Sequence, residues 1–213
     1  MRVEVDGTGG VKRVRGLEKR LRGLGGCGSF AAMLLLAACS SSAPPSTYDL
    51  TAPRDGIAAG RGRGLLVVAE PQALQALDSN RILVLTRDGG IAYLPGAQWS
   101  DRLPKLVQVR LIQTFENGRR IQAVGRPGDR LVPAAQLNSE IRTFGIDERT
   151  GEAVVEISAK IVNDRTGRIL AGQVFTSRIP AGGATSGPAA TAVLDLATQA
   201  VLRDIVRWVS TRM

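Results

Sequence analysis

Two thiols and no imidazole bound the chemistry open to this 213-residue chain: Cys27 and Cys39 are its cysteines, and it has no histidine. The commonest general base and the commonest metal ligand are therefore missing. Two cysteines without histidine fall short of the four ligands of a structural zinc site. No G-x-S-x-G elbow and no S-x-x-K pair occurs. The glycine-rich "GRGRG" at 60–64 precedes a strand-like run instead of following one, so it lacks the setting of a phosphate loop and reads as flexible chain. No catalytic residue, metal site or cofactor is expected, and the chain reads as a non-enzyme.

The residues around Cys39 give the thiol a different use. Phe30–Ala38 carries no charge, and behind it stands a basic leader with Lys12, Arg13, Arg15, Lys19, Arg20 and Arg22. The apolar run is shorter than the roughly 20 apolar residues of a membrane span, and the wider uncharged window, which starts at Gly23, is diluted by glycine. The run has the length and order of a signal-peptide apolar region followed by a small-residue cut site. Leu36-Ala37-Ala38-Cys39 resembles the lipobox of bacterial lipoproteins, which implies cleavage between Ala38 and Cys39 and a diacylglyceryl group on the Cys39 thiol. Cys27 follows Leu24-Gly25-Gly26 but has basic residues, not an apolar run, before it, so it would leave with the leader. The alternative is a buried helix with an incidental cysteine; the agreement of leader, run and cut site in order and spacing favours export. Two or more acyl chains hold a protein stably at a membrane where one does so marginally. By resemblance to Gram-negative lipoproteins, Ser40 after the lipidated cysteine, instead of aspartate, points to the periplasmic face of the outer membrane.

Three segments follow: 1–38 as signal peptide, 39–64 as a lipidated flexible tether rich in Ser, Pro, Gly and Ala, and 65–213 as one folded domain. The whole chain has a net charge of +9. The leader carries seven basic and three acidic residues, which leaves +5 on the mature chain. An exported protein does not normally meet nucleic acid, so this charge reads as solubility with some attraction to anionic headgroups. Arg61, Arg63, Arg119, Arg120 and Arg126 could meet such headgroups, although scattered solvated charge is the default reading.

Hydrophobic periodicity outlines the domain. "LLVVAEP" (65–71) reads as a short buried strand, and "QALQALDS" (72–79) as a turn or short helix. Two β-rich runs flank Asp88-Gly89-Gly90, a hairpin signal. Leu103, Val107, Leu111 and Phe115 recur at helical spacing, with Leu106, Val109 and Ile112 widening the stripe and Asp101 as N-cap. "IQAVG" reads as a short strand. Alternation in 135–146 and 152–162, with Ile169, Ala171, Phe175 and Ile179 in phase within 168–179, the runs linked by the glycine-ended "DERTG" and "DRTG", predicts a three-stranded antiparallel meander. A last helix opens at Gly187-Pro188 and carries the stripe Leu194, Ala197, Val201, Ile205, Trp208. The expected fold is α+β: a single, mostly antiparallel sheet, made of N-terminal strands, a hairpin and the meander, with two main helices on one face. Trp99 and Trp208 suit either core or contact, with core favoured; Tyr93-Leu94-Pro95 could form a sheet-edge contact. Tyr93, Leu94 and Trp99 are the candidate partner-contact residues.

"YDL" after the lipobox linker, "ALDSNRILVLTRDGGIAYLPGAQWSDRLPKLVQVRLIQTFE", "EIRTFGID", "VEISAKIVNDRTGRILAGQVF" and "AVLDLATQAVLRDIVRWV" together resemble the auxiliary lipoprotein component of ABC-type transport systems, of the paraquat-inducible protein C type. The resemblance runs from Tyr48 to Val209. It implies an outer-membrane lipoprotein that works with a mammalian-cell-entry domain protein of an ABC transporter, docking as a homo-oligomeric ring where lipid passes between inner and outer membranes. It carries over no catalytic residue. Two other readings stay open: an assembly or pilot factor for an outer-membrane protein complex, and a periplasmic binder of a soluble ligand.

Overall fold

The computed structural model describes residues 44–54, 64–118, 121–129, 132–183 and 186–213. The expected leader, Ala38 and Cys39 lie outside the described residues, as do Arg61, Arg63, Arg119 and Arg120.

One long strand organises the sheet. β7 (Ala135–Asp147) pairs along one edge with β8 (Glu152–Asn163), antiparallel, from Ala135↔Asn163 to Asp147↔Glu152, with a register shift between Ile141 and Thr143. β8 pairs in the same sense with β9 (Ile169–Pro180), from Glu152↔Pro180 to Val162↔Ile169. The two tight links close through Gly151 at φ 69° and Gly167 at φ 68°, left-handed positions that a residue without Cβ takes at no steric cost. This is the meander expected from the alternation.

The other edge of β7 is shared by three short strands, all parallel to it. β2 (Leu65–Val68) pairs with Ala135–Leu137, β3 (Gln72–Ala73) with Glu140–Ile141, and β4 (Arg81–Leu85) with Gly145–Asp147. β4 turns through Asp88-Gly89-Gly90 into β5 (Ile91–Trp99) as the expected hairpin. β6 (Ala123–Gly125) adds to β2 and β1 (Ser46–Tyr48) to β5, both parallel. The sheet is open, its long pairings are antiparallel, and its short ones are parallel. Segment 74–78 is a turn, closed by the Leu77 and Asp78 N–H groups on the Leu74 carbonyl.

Two helices cover one face. α1 (Leu103–Gly118) buries Leu103, Leu106, Val107, Leu111, Ile112 and Phe115, the expected stripe except that Val109 is only half-buried and Gln108 is buried in its place. Its first intrahelical bond runs from Leu106 N–H to the Arg102 carbonyl, so the cap falls one residue after Asp101. The Asp101 carboxylate instead accepts from the Arg102 N–H at 2.7 Å. α2 (Gly187–Ser210) lies on β8 and β9 and touches α1. Its stripe Leu194, Ala197, Val201, Ile205 and Trp208 is buried as expected.

Part of the segment read as tether packs onto the domain. Ser46–Tyr48 is a strand, Leu50 is buried, and the backbone beyond is held by side chains of both helices. Asn117 donates to the Pro53 carbonyl at 3.1 Å, and the Thr51 N–H donates to Asp195 at 2.6 Å. An isolated three-residue strand in a Ser- and Pro-rich stretch has no periodicity to announce it; its order comes from tertiary partners.

Candidate functional site

The hairpin end of the sheet holds the accessible apolar hollow of the domain. Across three neighbouring strands the register sets Ala92 beside Val84 and Val84 beside Ile146. Leu94 follows Ala92 on the same side of β5. With Pro95 and Ala181 these side chains line a cleft of about 390 Å³. Val84, Leu94, Ile146 and Ala181 are buried and form its floor, while Ala92 and Pro95 are exposed at its wall.

The cleft exists because the helical layer starts late. A Cβ on Gly187, the first residue of α2, would stand 2.9 Å from the Ala97 Cβ and 3.2 Å from the Tyr48 hydroxyl. The helix thus begins over the far half of β5, and the half that contains Ala92 and Leu94 lies beyond it. Pro95 is tolerated because the β4–β5 pairing lapses between Leu83↔Tyr93 and Arg81↔Gln98, a break where a missing N–H costs nothing.

Tyr93, Gly151 and Gly183 also line it, and charge stands only at the rim, at Arg87 and Glu148. The neighbouring carboxylates are occupied. Asp88 accepts from the Thr86 hydroxyl and, at 3.2 Å, from the Gly90 N–H; these bonds, the hydroxyl's first, hold its carboxyl below the usual range. Asp147 is engaged by Arg149 through Nη2 at 2.9 Å and Nε at 3.1 Å. Those side-chain hydrogen bonds keep its carboxyl below its ordinary value, against the opposing effect of burial. Among the described residues, neither Arg87 nor Glu148 has a side-chain hydrogen bond or ion pair.

The three candidate contact residues part ways here. Leu94 forms part of the cleft floor. Tyr93 is half-buried; its hydroxyl donates to the Ala76 carbonyl at 3.3 Å, and the Arg81 guanidinium sits 3.5 Å from its ring centroid. This ties the 74–78 turn to the hairpin. Trp99 is a core residue, not a surface contact: it is 1% exposed and meets Phe144 edge-on, centroids 5.9 Å apart. The hairpin places Trp99 at the end of β5, which α2 contacts, and a bulky indole there fills the interior. Trp208 likewise packs edge-on against Phe175, at 5.5 Å.

Sequence reasoning missed Val84, Ile146 and Ala181, which reach the cleft only through the parallel β4–β7 pairing and the chain after β9. It also missed Gln108, whose amide donates to the Val68 carbonyl at 3.0 Å inside the core. A polar residue inside an apolar helical stripe is the signal that could have found it. A second, more polar hollow of about 810 Å³ lies between Asp49–Arg54 and the two helices, with Arg110 paired to Asp49. Among the described residues no cluster of three or more His, Cys, Asp or Glu could hold a metal, and no helix is long and apolar enough to cross a membrane.

Residues 48–206 match the family of ABC-type transport auxiliary lipoprotein components. The chain belongs to this family. The match begins at Tyr48, the last residue of β1, so it takes in Tyr48–Arg54 of the docked segment. An uncharacterised protein of Bradyrhizobium diazoefficiens is 34% identical over 168 residues, which cover 76% of this chain and 44% of that protein. The chain thus spans less than half the length of that relative. A Xanthomonas campestris protein of known crystal structure superimposes with a TM-score of 0.68 at 25% identity, covering 78% of this chain and 96% of that one. A second crystal structure, of an uncharacterised protein, shares the fold with a TM-score of 0.59 at 16% identity, over 78% of this chain and 99% of that one.

Proposed function

We propose that this auxiliary component is a non-catalytic lipoprotein anchored in the outer membrane through Cys39, facing the periplasm and serving an ABC transporter that moves lipid between the two membranes. Its partner is the mammalian-cell-entry domain protein of that transporter. The carrying observation is the family match over 48–206, preceded in sequence by a basic leader, an apolar run and Leu36-Ala37-Ala38-Cys39. Lipid in transit needs a shielded path, because each methylene exposed to water costs about 0.8 kcal/mol. A tethered adaptor keeps the end of such a path concentrated at its membrane.

The docked segment shortens the tether. Signal peptide 1–38 and a lipidated Cys39 leave five residues, Cys39–Ala43, before the first described residue. At roughly 3.3 Å each they reach about 17 Å at most, so the domain sits close to its bilayer. Self-association into a ring is supported by the outer edge of β9, which among the described residues pairs with no strand and exposes Ile169 (61%), Leu170 (54%) and Val174 (42%). An open strand with apolar side chains is a template for pairing with another chain.

The test is affinity purification of the acylated protein from host membranes. Enrichment of a mammalian-cell-entry protein with its permease and ATPase is expected. Recovery of a secretin or another β-barrel in their place would replace transport with the pilot role. In the same preparation Cys39→Ala is expected to leave a folded domain that no longer fractionates with the outer membrane.

A further inference from the structure

We infer that the cleft floored by Val84, Leu94, Ile146 and Ala181 binds one acyl chain of a zwitterionic phospholipid, whose head is met by Arg87 and Glu148. This deepens the lipid-transport reading and rests on it.

Size and chemistry fit together. Small-molecule pockets run from about 300 to 1,000 Å³ and are mostly apolar with a few placed polar groups. A dry apolar cavity of only about 150 Å³ already accepts benzene. At about 390 Å³ the cleft is large enough for one chain and small for two. Its floor has no charged side chain, and its rim offers one cation and one anion that no other described group occupies. A phosphate beside a positively charged amine presents the complementary pair.

Register sets the cleft at the end of the sheet where the domain's first described residues enter it. β1 runs parallel to β5, with Ser46 opposite Ala97 and Tyr48 opposite Trp99. Continuing that register backwards brings Pro44 level with Pro95, at the cleft wall. The chain therefore leaves the domain toward Cys39 from the same end of the sheet that carries the cleft, and about 17 Å of chain at most separates the two. The anchor's own chain is the competing occupant. It is disfavoured because an N-acylated cysteine has no phosphate or amine to meet Arg87 and Glu148.

The acylated protein is reconstituted in phosphatidylethanolamine vesicles doped with a phosphatidylethanolamine that carries a diazirine on one chain, irradiated, and the crosslinked residues are mapped by mass spectrometry. Crosslinks concentrated on Val84, Ala92, Leu94 and Ile146 are expected. Competition by lysophosphatidylethanolamines of increasing length should strengthen about fourfold per methylene and then level off once the cleft is full. Ala92→Trp, at an exposed wall position, should cut the crosslink at least tenfold with unchanged circular dichroism. Ala92→Asp gives the same loss by charge if the indole disturbs the fold. Arg87→Ala with Glu148→Ala should lower the preference for phosphoethanolamine over phosphoglycerol heads without altering the chain-length slope. Crosslinks spread over the surface, a slope without plateau, an indifferent Ala92→Trp, or a cleft filled by the protein's own anchor would each overturn the assignment. Co-purification with the transporter is read separately, so the cleft can fail while the transport reading stands.

Discussion

On the side of β8 that α2 covers stand Ala153, Val155, Ile157, Ala159 and Ile161, none more than 1% exposed. On the other side of the same strand stand Val154, Glu156, Ser158, Lys160 and Val162. The first row packs against α2 and β9 as part of one continuous core. In the second, Val154 and Ser158 are buried, Glu156 and Val162 half-buried and Lys160 exposed; the charges of this side form loose ion pairs, Arg142 with Glu140 and Glu156 at 3.8 and 4.0 Å, and on the neighbouring pairing Arg178 with Glu152 at 3.5 Å. The contrast teaches that one face is set by shape and the other by solvation. Substitutions on the two faces of one strand should therefore differ several-fold.

The largest effect is expected for Ile157→Ala. Ile157 lies between Ile141 and Phe175 in the ladder, 1% exposed. Its loss should cost about 2–5 kcal/mol, as buried truncations do. Glu156→Ala, one residue away, should stay within about 0.5 kcal/mol. Urea midpoints of the two variants check this, and comparable losses would break the comparison.

The second face is not uniformly open. Val154 and Val162 are the apolar residues on this side of β8. Val162 is half-buried, but Val154 is 3% exposed. Its ladder partner Gly145 has no side chain, and β4 closes over that gap: a Cβ on Gly145 would stand 2.4 Å from the Leu83 carbonyl oxygen and 3.1 Å from the Leu83 Cδ2. Gly145→Ala should cost about 1–3 kcal/mol, since backbone is the neighbour that must yield. Gly172→Ala, also opposite the polar row of β8, meets the Lys160 Cγ at 3.6 Å and the Ala159 carbonyl oxygen at 3.8 Å, both ordinary contacts. It should be neutral or gain about 0.5 kcal/mol by restricting the unfolded chain. Thermal unfolding of the pair would show whether covered and open patches of one face can be told apart.

These cases mark what was legible. The meander, the hairpin at Asp88-Gly89-Gly90 and both helical stripes are local periodicities, readable within a dozen residues. The pairing of β2, β3 and β4 with β7 joins residues more than 60 positions apart, and nothing in "LLVV" or "RILVL" names the partner. The Ser46–Tyr48 strand and the burial of Leu50 depend on β5, Arg110, Asn117 and Asp195. The candidate site was half-visible for the same reason: Tyr93-Leu94-Pro95 showed at the end of a hairpin strand, whereas Val84 and Ile146 meet only through a parallel contact. Trp99 was named as a contact although its position favoured the core.

The smallest effect sharpens the comparison at the strand end, where a carboxylate belongs to both regimes. Asp147 is 4% exposed, yet its partner Arg149 stays largely in solvent. The Arg149 hydrogen bonds depress its acidity below that of an unfolded aspartate. The folded state therefore binds this proton less readily than the unfolded state does. Its contribution is fully present above the ordinary aspartate range and is lost as pH falls through it, below about pH 4. Unfolding midpoints of the parent should fall across that acid limb, and Asp147→Asn should lower the midpoint at neutral pH and flatten the slope, so that parent and variant converge in acid. An unchanged acid limb in Asp147→Asn would assign the acid sensitivity instead to Asp49 and Asp88, whose carboxyls also lie below their ordinary range.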